Sequence, residues 1–458
     1  MEEQRLLLAF YGDDFTGSTD AMEALASSGY RTVLFLEAPT EKLMRAFPGI
    51  RCIGVAGTSR AKPPAEMEKE LRPVFDRLSR IDVPVVHYKV CSTFDSSPEV
   101  GSIGKAIAVA RDYFAKDAVI PLLVGAPQLG RYTLFGQHFA RMHDQVYRLD
   151  RHPTMSCHPI TPMREADLRL HLGQQTAETI ELMNFLELEG EPETVRKRFA
   201  DKLKRKPGII LFDVIDEARL QMVGHLIWEE AHRQSRFVVG SSGVEYALTA
   251  HWQAAGIQPA DYRISHGPIK PAERILVVSG SASPVTKLQI ETALQQGFQG
   301  IRIPVDVLVD SGSIPQNLFS EAIAHLQQGK SVVMYTAMGP DDKAISETHE
   351  RLKMLGMKDT DSSELIGRNL GRLTREIMQA VQLRRVVIAG GDTSGFVMRE
   401  MNVYGLEMLH PVSPGAPLCK AYSFAKELDG IEVALKGGQL GSPDYFIKVQ
   451  QAGMEQTT

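Results

Sequence analysis

The sequence predicts an α/β protein made of two doubly wound α/β domains with largely parallel sheets. Two observations carry this prediction. Short apolar segments, typical of strands buried on both faces of a parallel sheet, alternate with longer helical segments along most of the chain. The chain also has 458 residues, which is more than one hydrophobic core usually serves.

The first domain is predicted over residues 1–256. Strands separated by helices favour parallel pairing there, because parallel neighbours need a crossover connection between them. The predicted strands are Leu6–Phe10, Thr32–Leu36, Ile53–Val55, Val85–Tyr88, Ala118–Val124, Ile209–Asp213 and Phe237–Gly240. The predicted helices are Asp20–Ser28, Glu66–Ser79, Ile103–Phe114 and Ala218–Ser235.

A polar segment with several prolines and glycines, residues 257–273, is interpreted as a linker. The alternation of strands and helices resumes after it in a second domain, predicted over residues 274–458. The predicted strands of this domain are Arg274–Ser279, Gly300–Ile303, Ser331–Thr336, Arg385–Ala389 and Ile431–Leu435, and a helix is predicted over Phe396–Met401.

Composition excludes several classes of protein. The net charge is −5 without long basic runs, so neither nucleic acid nor an anionic membrane is an expected partner. No apolar stretch approaches the roughly 18 residues that span a bilayer, and the first residues do not resemble a secretory signal. The four cysteines form no C-x-x-C pair, so neither a zinc site nor a disulfide framework is indicated. We expect a cytoplasmic protein that binds small molecules.

Two adjacent acids, Asp13 and Asp14, follow the first predicted strand directly. Ligands of open α/β sheets bind beyond the carboxyl ends of the strands, so this pair is a candidate for chemistry. The alternative is that the acids only cap the following helix, but one cap needs one acid. Asp20 and Glu23 have the spacing of a capping box for the predicted helix itself.

Basic residues follow two further strands of the first domain. Arg60 comes after the strand at Ile53–Val55, and Lys89, Val90, Cys91 and Ser92 come after the strand at Val85–Tyr88. Arginine offers a two-pronged contact to a carboxylate and lysine offers a point charge. We interpret these loops as part of one site for an anionic substrate, in preference to solvated surface loops.

Glycine-rich loops follow three strands of the second domain. Backbone N–H groups in such loops, and at the helix N-termini after them, can hold phosphate. One loop alone could be a tight turn, but three favour a nucleotide. Ser283 is expected to cap a helix that starts with Pro284. The candidate residues are Ser281, Ser283, Gly390, Gly391, Asp392, Thr393 and Gly438.

These residues together resemble the four-carbon acid sugar kinase family, which includes D-threonate, D-erythronate and 3-oxo-tetronate kinases. The run Gly12-Asp13-Asp14-Phe15-Thr16-Gly17 is similar to the family's opening motif, and His158-Pro159-Ile160-Thr161-Pro162-Met163 is similar to its His-Pro-Met-Thr-Pro-Met segment. The resemblance covers nearly the whole chain. It implies that a sugar acid contacts the two aspartates, Arg60 and the Lys89–Ser92 loop.

The resemblance also implies that ATP contacts Ser281, Gly390 to Thr393 and Gly438. One loop departs from the family pattern Lys-x-Asp-Ser-Thr-Leu-Arg-Gly, because this chain has Lys89-Val90-Cys91-Ser92-Thr93-Phe94-Asp95-Ser96. The acid and the arginine of the pattern are missing, so a differently substituted acid is the expected substrate. The divergent loop resembles the branch of 3-oxo-isoapionate kinases.

We hypothesise an ATP-dependent kinase that phosphorylates a hydroxyl of a small sugar acid, such as a four-carbon, branched or 3-oxo acid. Asp14, with Asp13 beside it, is expected to orient or deprotonate the hydroxyl in an interdomain active-site cleft, while Arg60 and Lys89 hold the carboxylate. Mg²⁺ is expected to bridge the phosphates, with its protein ligands unassigned. The oligomeric state stays open, a homodimer being one option.

Two other functions remain open on the sequence alone. An NAD-dependent sugar-acid dehydrogenase would need a G-x-G-x-x-G run followed by an acid about 20 residues on, which the chain lacks. A non-catalytic sugar-acid-binding protein with two lobes would bind the acid without ATP. A kinase would instead consume ATP only when the acid is present.

Overall fold

A computed structural model of the chain describes residues 5–114, 116–233, 236–259, 269–309, 316–357 and 359–454. The described chain has the mixed α/β architecture and the mostly parallel strands that the sequence predicts. It divides into two compact units, of which the first contains Met1–Thr32 and Glu37–Tyr262. The second contains Val33–Leu36 and Arg263–Thr458. The predicted linker includes residues 260–268, which lie outside the described residues.

The strands that were predicted before residue 260 are present and begin and end close to their predicted bounds, and further strands and helices that were not predicted lie between them. The strands are β1 (Leu8–Gly12), β2 (Thr32–Phe35), β3 (Cys52–Ala56), β4 (Val85–Lys89), β5 (Ile120–Leu123), β6 (Arg131–Leu134), β7 (Gln137–Met142), β8 (Gln145–Arg148), β9 (Ile180–Met183), β10 (Ile209–Phe212) and β11 (Phe237–Gly240). The helices are α1 (Phe15–Ser27), α2 (Glu41–Met44), α3 (Pro64–Ser79), α4 (Ile103–Ala110), α5 (Leu168–Gly173), α6 (Pro192–Leu203), α7 (Glu217–Arg233) and α8 (Gly243–Ala254).

The main sheet of the first unit pairs its strands in parallel in the order β3-β1-β4-β11-β5-β10-β9. The strand order changes direction at β1, because the chain passes first to β3 on one side and then to β4 on the other. Gly12 at the end of β1 is level with Ala56 of β3 and with Lys89 of β4. This is the topological switch point at which open α/β sheets bind their ligands.

The sequence did not predict the small antiparallel sheet formed by β6, β7 and β8. Its strands are short and only partly buried, and they carry many polar residues. They therefore lack the continuous apolar runs that mark the strands of the main sheet.

The second unit is also built around paired strands with helices between them. Its strands are β12 (Leu276–Ser279), β13 (Gln299–Arg302), β14 (Val332–Tyr335), β15 (Arg385–Ala389), β16 (Val403–His410), β17 (Leu418–Ser423) and β18 (Glu432–Lys436). Its helices are α9 (Pro284–Gln295), α10 (Val305–Val309), α11 (Gln316–Gln327), α12 (Lys343–Met354), α13 (Asp359–Val381), α14 (Gly391–Glu400) and α15 (Tyr445–Gln451).

Five strands of the second unit are parallel, in the order β13-β14-β12-β15-β18. The sheet continues antiparallel through β17 and β16 to β2, the segment that the first half of the chain contributes. Ser279 of β12, Ala389 of β15 and Lys436 of β18 are level with one another. The three glycine-rich loops consequently start at one edge of the sheet.

Two helix starts differ from the sequence prediction. Helix α1 begins at Phe15 with Asp14 as its N-cap, so the expected capping box at Asp20 is wrong. Helix α14 begins at Gly391, so residues 391–395 are helical and do not form a loop. Gly390, at a φ of 140°, makes the turn that a residue with a side chain rarely adopts, and the helix can therefore start immediately after the strand.

The packing of α7 against α8 depends on a glycine. A Cβ atom added at Gly224 would lie 1.9 Å from the carbonyl oxygen of Ala247. Gly224→Ala is therefore expected to force the two helices apart at a cost of about 1–3 kcal/mol and to lower the unfolding temperature of the first unit. Gly173→Ala is the control, because nothing lies within 4 Å of its added Cβ. Thermal unfolding that is equal for the two variants would contradict the packing argument.

Candidate active site

The ends of three neighbouring strands bring charged side chains together in the first unit. Asp13 and Asp14 follow β1, Arg60 follows β3, and Lys89 is the last residue of β4. The backbone N–H of Asp13 donates to the carbonyl of Lys89 at 3.0 Å, and that of Arg60 donates to the carbonyl of Asp13 at 2.9 Å. The sequence prediction that these residues share one strand edge agrees with this geometry.

The guanidinium of Arg60 binds both aspartates. Its Nε and Nη2 donate to the two carboxylate oxygens of Asp13 at 3.1 and 2.5 Å, and Nη2 also lies 2.8 Å from Oδ1 of Asp14. The Asp13 side chain is only 3% exposed, whereas those of Arg60 and Asp14 are 21% and 29% exposed. Arg60 therefore uses its two-pronged edge on Asp13, and the sequence had assigned that edge to a substrate.

The protonation of this pair is set by burial and by mutual attraction. Burial raises the pKa of the Asp13 carboxyl, although the positive charge of Arg60 opposes the shift. Burial acts to lower the pKa of Arg60, but the charges of Asp13 and Asp14 outweigh it and hold that pKa well above its usual value. Arg60 is a permanent cation, and its charge is what makes a buried carboxylate tolerable at Asp13.

Asp14 caps a helix and still keeps one carboxylate oxygen available. Its Oδ1 accepts a hydrogen bond from the backbone N–H of Gly17 at 2.8 Å. No described residue donates a hydrogen bond to its Oδ2. The capping role and a chemical role are therefore compatible, because they use different oxygens.

The side chain of Lys89 lies next to the first turns of α1. Its Nζ is 3.3 Å from Oδ2 of Asp20, and its side chain is buried. Burial acts to lower the pKa of Lys89, but the charges of Asp20 and Asp14 outweigh it, so the net shift is upward. A Cβ atom at Gly17 would lie 2.4 Å from Oδ1 of Asp14 and 2.8 Å from this Nζ, so only glycine leaves room for the cluster. The sequence missed Asp20 as a partner of Lys89, because its spacing suggested a cap.

The loop after Lys89 is fixed by backbone and side-chain contacts. Val90 donates to the carbonyl of Gly240 at 2.7 Å, and Nε2 of His138 lies 2.9 Å from the carbonyl oxygen of Ser92. The Cys91 sulfur lies 3.0 Å from the hydroxyl of Thr93. Burial raises the pKa of the Cys91 thiol, so a neutral group stands where the family pattern has an acid.

Arg131, at the start of β6, is a second cation near this loop that the sequence did not single out. Its Nη1 donates to the carbonyls of Leu129 and Arg141 at 3.0 and 3.2 Å. Its buried Nε has no hydrogen-bond partner among the described residues. Burial lowers the pKa of Arg131, and the nearby Cys91 and Asp95 oppose the shift.

The three glycine-rich loops of the second unit are joined by hydrogen bonds and close packing. Gly280 donates to the carbonyl of Ala389, and Gly390 donates to that of Lys436, both at 2.9 Å. A Cβ atom at Gly438 would lie 2.8 Å from the Ser281 hydroxyl. The loops therefore pack against one another too closely for a side chain at Gly438.

Helix starts face these loops as well. In α14 the N–H of Ser394 makes the first helical bond, to the carbonyl of Gly390 at 3.1 Å, so the preceding N–H groups of that turn are free of helical bonds. A Cβ atom at Gly280 would lie 2.4 Å from the hydroxyl of Thr393, which brings this turn against the loop after β12.

Ser283 is the N-cap of α9, and Pro284 is its first residue, as the sequence predicts. Its hydroxyl accepts from the backbone N–H of Thr286 at 3.0 Å and donates to the carbonyl of Gly438. Ser283 is thereby tied to the loop after β18. Its direct contact with a nucleotide stays a prediction.

The described residues contain no cluster of three or more His, Cys, Asp or Glu side chains that could hold a metal ion. The four cysteines are free thiols. Among the described helices, none has the length and apolar character needed to cross a membrane. The side chain of Asp392 lies outside the described residues.

Two family models match separate parts of the chain. Residues 8–248 match the model of a sugar-binding N-terminal domain, and residues 276–446 match that of a nucleotide-binding C-terminal domain. A Haemophilus influenzae protein of known structure superposes with a TM-score of 0.72 at 24% identity, covering 97% of this chain and 100% of its own. This structural likeness supports the fold.

Two curated relatives extend over the full chain. A 3-oxo-isoapionate kinase of Paraburkholderia graminis is 44% identical, with 97% of this chain and 94% of the relative covered. A 3-oxo-tetronate kinase of Pseudomonas savastanoi is 29% identical, with 98% and 97% covered.

The fold and the two groups of loops define a protein with one sugar-binding and one nucleotide-binding domain. The chain belongs to the four-carbon acid sugar kinase family, as the sequence motifs predicted. It is a sugar-acid kinase.

Arg60→Lys tests the charge cluster. Lysine keeps the positive charge, but its single ammonium cannot contact the two carboxylate oxygens of Asp13 and Oδ1 of Asp14 at the same time. We therefore expect kcat/KM for the sugar acid to fall roughly tenfold or more. Steady-state kinetics with the acid and the nucleotide varied separately measure this, and KM for the nucleotide is expected to stay the same. A variant that loses only nucleotide affinity would place Arg60 in the phosphate site instead.

Proposed function

We propose that this chain transfers the γ-phosphoryl group of ATP to a hydroxyl of a branched or 3-oxo sugar acid. The observation that carries the proposal is the arrangement of Asp14, whose Oδ1 is held by Arg60 and Gly17 while Oδ2 has no described partner. A carboxylate fixed in this way can accept the proton of a substrate hydroxyl. The other described groups of the cluster serve to hold that carboxylate and to attract the acid.

Asp14 is the better candidate for the base of the two aspartates. Asp13 is buried and both of its oxygens bind Arg60, so it has no oxygen left for a substrate. We assign Asp13 the role of holding Arg60, and we assign Asp14 the role of orienting and deprotonating the hydroxyl. The proton of the substrate hydroxyl passes to Oδ2 of Asp14 as the hydroxyl oxygen bonds to the γ-phosphorus of ATP, the bond from that phosphorus to the β,γ-bridging oxygen breaks, and ADP leaves.

The substrate carboxylate is expected on the free side of Arg60. The described residues leave its Nη1 without a hydrogen bond, because Asp13 and Asp14 use Nε and Nη2. A carboxylate binding there is attracted by Arg60 and Lys89 together. Because the three aspartates of the cluster outnumber its two cations, an anionic substrate has to be held by direct hydrogen bonds to Arg60 and not by a net positive charge.

The close packing of the three glycine-rich loops supports the second unit as the binding site for ATP. A Cβ atom added at Gly280 or Gly390 would collide with Thr393, and one added at Gly438 would collide with Ser281, so the three loops pack closely together. We propose that Ser281, Gly390 to Thr393 and Gly438 hold the phosphates, with Ser283 fixing the loop geometry. ATP supplies the phosphoryl group. Mg²⁺ in such sites is held largely by phosphates and water, so a nucleotide at these loops would bring most of the ligands of the ion with it.

The substrate class follows from the relatives and from the loop after β4. The relative that is 44% identical is named a 3-oxo-isoapionate kinase, and more distant relatives are named 3-oxo-tetronate kinases. The neutral Cys91 stands where the family pattern has an acid. We therefore propose 3-oxo-isoapionate as the first substrate to test and 3-oxo-tetronate as the second.

Release of ADP in the presence of different sugar acids tests the function. We expect ATP to be consumed only when a sugar acid and Mg²⁺ are both present, with 3-oxo-isoapionate giving the highest kcat/KM. Four- and five-carbon acids without a 3-oxo group serve as comparison substrates. Faster turnover of an unbranched acid would overturn the substrate assignment but leave the kinase assignment in place.

Asp14→Asn tests the base. The amide can still cap α1, but it cannot accept a proton at the carboxylate, so we expect kcat to fall on the order of 100-fold or more with little loss of thermal stability. Asp167→Asn is a matched control, because Asp167 also caps a helix, α5, and pairs with an arginine, Arg169, at 2.6 Å. Near-normal turnover of Asp14→Asn would contradict the role of Asp14 as the base and would leave it only the role of helix cap.

A further inference from the structure

Lys436 is a buried lysine in the second unit that the site described above does not use. It is the last residue of β18 and is 1% exposed. Its Nζ donates to the hydroxyl of Thr286 at 2.9 Å. No carboxylate of the described residues forms an ion pair with it. A lysine ammonium has three protons to donate, so this side chain is under-satisfied where it lies.

The position of Lys436 connects it to all three glycine-rich loops. Its backbone carbonyl accepts from the N–H of Gly390 at 2.9 Å. The Thr286 hydroxyl that it contacts lies 3.1 Å from the Ser281 hydroxyl and 3.1 Å from the carbonyl of Gly438. The charged group of Lys436 is thus connected through one residue, Thr286, to the side chain and backbone proposed to hold phosphate.

The charged groups on the neighbouring elements are engaged elsewhere. Arg385 of β15 pairs with Glu432 at the opposite end of β18. On α9, the ammonium of Lys287 lies 3.9 Å from Glu291, and on β17 Lys420 lies over the ring of Tyr422. On α14, Arg399 lies over the ring of Phe396, and the side chain of Asp392 is outside the described residues.

Burial is consequently the cause of the unusual protonation of this residue. It lowers the pKa of Lys436 to about 7. The amine thus changes charge close to neutral pH, which an exposed lysine does not do.

We propose that Lys436 is a positioning residue of the nucleotide site, which takes up a proton from solvent when a polyphosphate binds and orders Ser281 and the Gly438 loop through Thr286. This inference rests on the proposed function, because it places a nucleotide at these loops. The proton adds to the lone pair of Nζ, and no bond to phosphorus forms. The incoming phosphates supply the negative charge that the buried ammonium lacks, so each stabilises the other.

The test is calorimetric titration of the full-length protein with ADP, in buffers of different ionisation enthalpy, at about pH 8, where the phosphates of ADP are already ionised. Wild-type protein is expected to take up part of a proton for each ADP bound, approaching about one. Lys436→Met is expected to lose this uptake and to bind ADP roughly tenfold or more weakly. Lys436→Arg keeps the charge without titrating, so it is expected to bind more tightly than Lys436→Met without the proton uptake.

Lys420→Met controls for the loss of a lysine from the same sheet, and it is expected to match wild type in ADP affinity and in proton uptake.

Unfolding in the absence of nucleotide supplies a second readout. A lysine whose folded pKa is lowered binds fewer protons folded than unfolded, so stability rises with pH from about 7 to about 10. The stability of wild type relative to that of Lys436→Met is expected to rise across this pH range.

The outcomes separate the two levels of inference. If wild-type protein binds ADP with no proton uptake at about pH 8, or if Lys436→Met retains both affinity and uptake, Lys436 only fills space and the inference is overturned. If wild-type protein does not bind ADP under conditions in which it binds the sugar acid, the nucleotide assignment of these loops fails first. Affinity for the sugar acid is expected to be the same in all variants.

Discussion

The level carboxyl ends of the parallel strands β3, β1 and β4 are the constraint on which the first unit depends. Gly12 pairs in register with Ala56 and Lys89, so the residues that follow the three strands must share one edge of the sheet. A register shift of one residue would reverse the faces of a strand that is buried on both sides. The observed pairing of these strands therefore fixes the position of the charged cluster as well as the packing of the core.

The cluster can be charged because its parts compensate one another at short range. Arg60 bridges Asp13 and Asp14, and Lys89 pairs with Asp20, with Gly17 leaving room between the pairs. Removing one partner of a buried pair leaves the other uncompensated, so these residues form a unit in which single roles are hard to separate. The partial exposure of Asp14 sets it apart, because an exposed carboxylate oxygen is accessible to a substrate.

The sequence predicted most of the strands and the edges that carry the site, because apolar runs ending in Gly, Asp or Lys have few other structural meanings. It could not predict that Arg60 would turn its two-pronged edge to Asp13, since side-chain pairing depends on the register between strands distant in sequence. It also missed β9 and the antiparallel strands β6, β7, β8, β16 and β17, and it did not predict that β2 pairs with β16 of the second unit. The sequence did not predict that α14 begins at Gly391, because glycine usually indicates a loop.

The strand pair β15 and β18 buries two basic side chains that differ in their hydrogen-bond partners. At one end Arg385 is satisfied by Glu432 and by backbone carbonyls, an arrangement that gives a fixed charge to the core. At the other end Lys436 has one neutral partner and lies beside the glycine-rich loops. A fold that can bury and satisfy an arginine within the same pair of strands has no structural need for an under-satisfied lysine. The unmet hydrogen-bonding capacity at that end is most simply explained by an anion that arrives from outside the chain.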